Sequence, residues 1–81
     1  MSANTLHLVI SSVSENVYNG PALSVTLPGT AGDMTILPHH EPLITTLKKG
    51  VVVVRFPEGS KEFPIESGVL ETHGTNAIVL I

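Results

Sequence analysis

Histidine, serine and carboxylate side chains are the groups in this 81-residue sequence able to hold a metal, move a proton or attack a substrate. The densest group is His39, His40 and Glu41, a composition suited to a zinc or other transition-metal site. The spacing works against it. Adjacent side chains of an extended segment point to opposite faces, and two ligands on one strand need an i, i+2 relation. His39 and His40, bracketed by Pro38 and Pro42, therefore read as part of a solvated loop. His7 and His73 read as strand residues without an acidic or histidine partner at useful spacing, hence as structural. Ser11, Ser12, Ser14, Ser24, Ser60 and Ser67 fall in turns or on wet faces, with no strand-to-helix elbow motif around any of them. Gly29, Thr30, Ala31, Gly32 and Asp33 have some look of a phosphate loop. They lack the Gly-Lys-Ser/Thr ending and lead into no helical segment, so a turn is expected. Asp33 and Glu41 show no sign of burial as an acid/base pair. No catalytic residue, metal or cofactor is expected.

The elements that must position these residues are strands. Ten Val, six Ile and eight Thr stand against four Ala, a balance that favours extended structure. Gly and Pro recur so often that few stretches are long enough for a helix. Alternation and turn signals predict strands near 5–11, 15–19, 22–27, 33–37, 43–46, 50–56, 61–66, 69–72 and 76–81, the spacing of an all-β sandwich or barrel. In 22–27, Leu23, Val25 and Leu27 are expected inward, with Ser24 and Thr26 outward. The runs 51–54 and 78–81 are apolar at every position, which predicts cover on both faces, from the opposite sheet plus a loop or from another protein. The residues Pro57, Glu58, Gly59 and Ser60 predict a four-residue hairpin loop, and Gly74 with Thr75 another turn.

A single domain over 1–81 is expected, with no linker and no internal repeat. Without cysteine there is no disulfide framework. The four basic residues, Lys48, Lys49, Arg55 and Lys61, are outnumbered by seven acidic ones and form no stripe, which argues against nucleic-acid binding. The apolar runs fall far short of the ~20 residues of a membrane span, and no basic region leads into an apolar core at the start; a soluble, non-exported protein is expected. The surplus of apolar residues in so small a sandwich points to a subunit with a covered interface, against a self-sufficient monomer.

One stretch carries a resemblance. Gly32-Asp33-Met34-Thr35-Ile36-Leu37-Pro38-His39-His40-Glu41-Pro42-Leu43-Ile44-Thr45 resembles a segment of the epsilon subunit of rotary F-type ATP synthases, where a Gly-acid-apolar run leads into Pro-Gly-His-Ala-Pro-Leu-Leu-Thr. Downstream, Gly50 with the valines 51–54, Phe63, Ser67-Gly68-Val69-Leu70-Glu71, and Asn76 with Ile78-Val79-Leu80 are similar to that family's later signatures; Leu6-His7-Leu8-Val9-Ile10-Ser11 is similar to its opening. The order is collinear over almost the whole chain.

The resemblance implies a flattened sandwich of about ten short antiparallel strands in two sheets. It also implies a non-catalytic place in the central stalk, joining the gamma subunit to the c-ring and coupling ion-driven rotation to ATP synthesis at the cytoplasmic face of the bacterial inner membrane. Position by position, Gly29, Thr30, Ala31, Gly32 and Asp33 match the turn that faces the ring, and His40, Pro42, Leu43 and Thr45 match the gamma-facing segment. His39-His40-Glu41 departs from the family's Gly-His-Ala, adding bulk and a charge to that turn. The family's C-terminal helical hairpin has no counterpart up to Ile81, so neither self-inhibition nor a nucleotide site is expected in this sequence. The competing expectation is a small sandwich binding module that uses the 38–41 loop for a ligand or metal.

Overall fold

The computed structural model describes residues 5–81 and contains nine strands and no helix among them. The expected single domain also takes in residues 1–4, which lie outside the described residues. The strands are β1 Leu6–Ser11, β2 Asn16–Ala22, β3 Ser24–Gly29, β4 Gly32–Ile36, β5 His40–Leu47, β6 Gly50–Phe56, β7 Gly59–Ile65, β8 Gly68–Gly74 and β9 Asn76–Leu80. Five of them form one layer in the order β2-β1-β9-β8-β5, and β4, β3, β6 and β7 form the other. The layers share one corner: β3 meets β5 through the single register pair Gly29 and Leu47, which makes the whole a curled nine-stranded sheet.

The interior follows from alternation. Leu8, Ile10, Leu70 and Val79 of the first layer and Val25, Leu27, Val52 and Val54 of the second are all fully buried against one another. In β1, β6, β8 and β9 every second residue faces this core, as in a half-buried strand, whereas β3 is buried at all positions but Thr26. On the side away from the shared corner the layers are held by Tyr18 of β2 and Phe63 of β7, whose rings meet edge to face at 6.0 Å.

Several expectations are corrected. Pairing is not antiparallel throughout, because β1 and β9 run parallel, with Leu8 beside Ala77 and Ile10 beside Val79. A parallel pair needs a long crossover, and the whole intervening chain supplies it. Leu23 is not an inward strand residue; it lies in a bend, 38% exposed, and Ser24 after it is buried. The chain changes layers there, with the Leu23 N–H donating to the Arg55 carbonyl at 2.7 Å, so alternation does not carry across the bend. The expected four-residue loop is a two-residue turn, Pro57 and Glu58, because Phe56 already pairs with Gly59. Within the chain the runs 51–54 and 78–81 are covered on one face only, with Val52, Val54 and Val79 buried and Val51, Ile78 and Leu80 exposed, so the alternative of a sheet plus a loop does not hold for the second face.

Between β4 and β5 the chain reverses at Pro38 and His39, and His39 takes the left-handed conformation with φ 66°. That conformation costs a non-glycine residue about 1–2 kcal/mol, least for Asn, Asp and His.

Two stability measurements check this architecture. Leu70→Ala, in the core, lowers unfolding free energy by about 2–5 kcal/mol, whereas Val69→Thr, the next residue on the opposite face, changes it by no more than about 0.5 kcal/mol; equal effects in urea denaturation would refute the assigned faces. At the turn, His39→Val costs about 1–2 kcal/mol. His39→Gly leaves stability unchanged or raises it by up to about 1 kcal/mol, released strain being offset by the freer unfolded chain.

Candidate docking surfaces

The β3–β4 hairpin closes through Gly29 paired with Gly32, with Thr30 and Ala31 as its two turn residues. Thr30, Ala31, Gly32 and Asp33 are exposed and Gly29 is buried, so the expected ring-side group is one compact turn whose first member lies beneath the surface. The turn is fastened sideways to the end of β5. The Thr30 N–H donates to the Thr46 carbonyl at 3.1 Å, the Thr30 and Thr46 hydroxyls lie 3.0 Å apart, and the Lys48 N–H donates to the Pro28 carbonyl at 2.8 Å.

The second expected group does not form one surface. β5 pairs with β8 from His40 opposite Gly74 and again from Leu43 opposite Thr72, with a bulge between that leaves Glu41 and Pro42 unpaired. The Glu41 carbonyl thus freed accepts the buried Thr72 hydroxyl at 2.9 Å and the His40 Nδ1–H at 2.8 Å. The carbonyl that the bulge takes out of the ladder is therefore satisfied by side chains. Pro42 is exposed and His40 half-buried at this bulge, whereas Leu43 and Thr45 are half-buried, with Leu43 packed against the core.

The outward residue of this strand is Ile44, 71% exposed, which the sequence reading passed over. Register extends it into a strip across the first layer. One row runs Ile44, Glu71, Ile78 and Val9; the next runs Thr46, Val69, Leu80 and Ser11. Ile44, Val69, Ile78 and Leu80 are exposed and Val9 is half-buried. Val9, Ile78, Leu80 and Val69 adjoin one another, and Ile44 lies beyond Glu71 and Thr46; an apolar patch of this kind on a sheet face marks an interaction surface. The signal was present in the all-apolar run 78–81; what was missing was the register that sets it beside Val69 and Ile44.

The outer face of the second layer differs. There the Arg55 Nη1 donates to Thr26 Oγ1 at 2.9 Å, Thr26 and Thr35 hydroxyls lie 3.0 Å apart, and Glu62 stands opposite Val53. Hydrogen-bonded hydroxyls and charges suit a face left in water.

Among the described residues no three His, Asp or Glu side chains are grouped to hold a metal ion. The His7 Nε2–H donates to Asn19 Oδ1 at 2.9 Å, and His7 and His73 flank Asn76 in the register of β1, β9 and β8. A groove lined by Tyr18, Pro21, Phe56 and Pro57 opens between β2 and the β6–β7 turn, with Lys61 and Glu58 as its charged lining residues.

Residues 5–81 match the family model described as ATP synthase, Delta/Epsilon chain, beta-sandwich domain. The ATP synthase epsilon chain of Delftia acidovorans is 40% identical over 78 residues, covering 95% of this chain and 56% of that protein. That of Polaromonas naphthalenivorans is 36% identical over 78 residues, covering 96% and 56%. This chain thus spans little more than half the length of these curated relatives. Among solved structures, a chain of the Euglena gracilis mitochondrial ATP synthase (OSCP/F1/c-ring, rotational state 1) superposes with a TM-score of 0.88 at 19% identity, over 94% of this chain and 49% of that one. A chain of the central stalk/c-ring of Tetrahymena thermophila mitochondrial ATP synthase superposes with a TM-score of 0.76 at 12% identity, over 93% and 61%. At those identities the superpositions speak for the fold alone. With a family match running from Thr5 to Ile81 over a sandwich of this topology, the chain belongs to the ATP synthase delta/epsilon family, as its β-sandwich domain.

Proposed function

We propose that this chain is a non-catalytic rotor element of an F-type ATP synthase, packed by the outer face of its first layer against the gamma subunit and meeting the c-ring through the turn of Thr30, Ala31, Gly32 and Asp33. It works at the cytoplasmic face of a bacterial inner membrane, as a peripheral part of the complex, and it carries ion-driven rotation toward the catalytic heads without making or breaking bonds. The observation that carries this reading is the inequality of the two outer faces. One presents Ile44, Val69, Ile78 and Leu80 to solvent around the carboxylate of Glu71; the other presents Val51 as its exposed apolar strand residue among Thr35, Arg55 and Glu62, with Thr26 half-buried. Apolar area supplies association free energy, so the first face is the one that suits a permanent partner.

The solved relatives come from ATP synthase assemblies that include a c-ring, which supports the same placement. His40 and Pro42, at the bulge that begins β5, lie on the strand that also carries Ile44 and so belong to the edge of this gamma-facing surface. Leu43 and Thr45 serve it indirectly, as the inward side of the same strand.

Binding to a purified gamma subunit from the same source tests the assignment. Ile44→Asp or Leu80→Asp removes an apolar contact and sets a carboxylate in a dry interface, at a cost of about 2 kcal/mol or more, which is about thirtyfold in affinity. Glu62→Lys, on the other layer, leaves affinity within about twofold. The reverse pattern in calorimetry would sink the proposal.

A further inference from the structure

We infer that the β5–β6 turn, through Lys48 and Lys49, forms one docking surface with the β3–β4 turn, and that this surface takes a polar loop carrying both a basic and an acidic side chain. The inference rests on the ring-side assignment proposed above and adds to it the identity and charge of a second contacting turn.

The two turns cannot move independently. The Lys48 N–H is bound to the Pro28 carbonyl at 2.8 Å and the Thr30 N–H to the Thr46 carbonyl at 3.1 Å, so each turn is hydrogen-bonded to the strand that leads into the other. Gly50, which closes the lysine turn, packs directly on the hairpin's base: a Cβ there would lie 2.8 and 2.9 Å from Pro28 Cβ and Cγ. Only glycine permits that approach.

On this locked frame three charges are exposed, Asp33 on one turn and Lys48 and Lys49 on the other, and a fourth, Glu66, lies on the β7–β8 turn that the pairing of Gly50 with Ile65 and of Leu47 with Gly68 sets beside the lysines. The lysine pair makes up two of the four basic residues of the chain. Solvated lysines near a sheet edge also deter edge-to-edge pairing, and that alone explains isolated ones. Here both signs stand on a frame whose backbone needs no ordering on binding, which lowers the entropy cost of recognition. A partner loop of a single sign would be attracted to one turn and repelled by the other, whereas a loop of both signs is attracted by both in one orientation. Charge complementarity therefore selects the two-sign loop and fixes its direction.

The experiment is binding of the 81-residue chain to detergent-purified c-ring from the same source across a salt series. Lys48→Glu with Lys49→Glu is expected to weaken binding roughly tenfold at low salt and to flatten the salt dependence. The neutral pair Lys48→Gln with Lys49→Gln falls between the two, and Asp33→Lys also weakens binding. Thermal unfolding of each variant confirms that the sandwich is intact. If the chain binds the ring and the double Glu variant binds equally well at every salt concentration, the inference is overturned while the ring-side assignment stands. Tighter binding by Asp33→Lys would likewise overturn it, since a purely acidic loop would then be the partner. Failure of the unaltered chain to bind the ring overturns the ring-side assignment itself, and the inference with it.

Discussion

The two layers of sheet are hydrogen-bonded at one corner, where Gly29 of β3 pairs with Leu47 of β5. A Cβ at Gly29 would lie 2.7 Å from the Gly32 carbonyl oxygen and 3.3 Å from Met34 Sδ, so a larger side chain would force the β3–β4 hairpin open. The corner fixes more than topology. β5 turns Leu47 fully into the core, half-buries Leu43 and Thr45, and points Ile44 and Thr46 outward; Thr46 then holds the Thr30 turn by two hydrogen bonds. A single strand thus joins the apolar outer strip to the polar turn, with no flexible segment between them.

Local pattern made much of this visible in the sequence. Val25 and Leu27 inward with Thr26 outward, the turn at Gly74 and Thr75, and nine strand positions all follow from alternation and turn chemistry acting within a few residues. What escaped was non-local. Alternation is a property of one strand, and it lost its meaning at Leu23, where the chain leaves one layer for the other. The parallel meeting of β1 and β9 joins the two ends of the chain, and no local signal encodes it. The candidate contact residues of β5 divide between two faces for a related reason. A resemblance aligns positions but not faces, and one residue along a strand is the opposite side of the sheet. Leu43 and Thr45 were aligned to a docking segment while Ile44 between them carries the exposed surface.

The His39 turn places a bulky residue where the backbone favours glycine. In the motif it resembles, glycine stands at this place, and a bulky replacement suggests a different turn. The backbone at His39 takes the left-handed conformation that glycine adopts freely, with φ 66°. Histidine is among the residues that tolerate it best. The strand that follows restrains the turn: the Glu41 carbonyl is held by both Thr72 and His40, and β5 is paired along β8 from Leu43 onward. A modest local strain is sustained by a ladder that fixes the far side of the turn.

The division between an apolar strip and a charged pair of turns has a mechanical consequence under the proposed role. Hydrophobic association scales with area and has little direction, so Ile44, Val69, Ile78 and Leu80 resist separation from a partner far better than they resist sliding along it. Exposed charges behave oppositely: each pair adds little to affinity, yet it is satisfied in only one register. A contact that must pass torque needs both properties. Asp33, Lys48 and Lys49 sit on turns bound to the C-terminal end of the same strand that carries Ile44, and Thr46 at that end pairs opposite Val69 of the strip. A sideways load taken up at the turns therefore reaches the apolar strip through hydrogen-bonded strands, and the close-packed core behind them leaves little room for it to be lost as deformation.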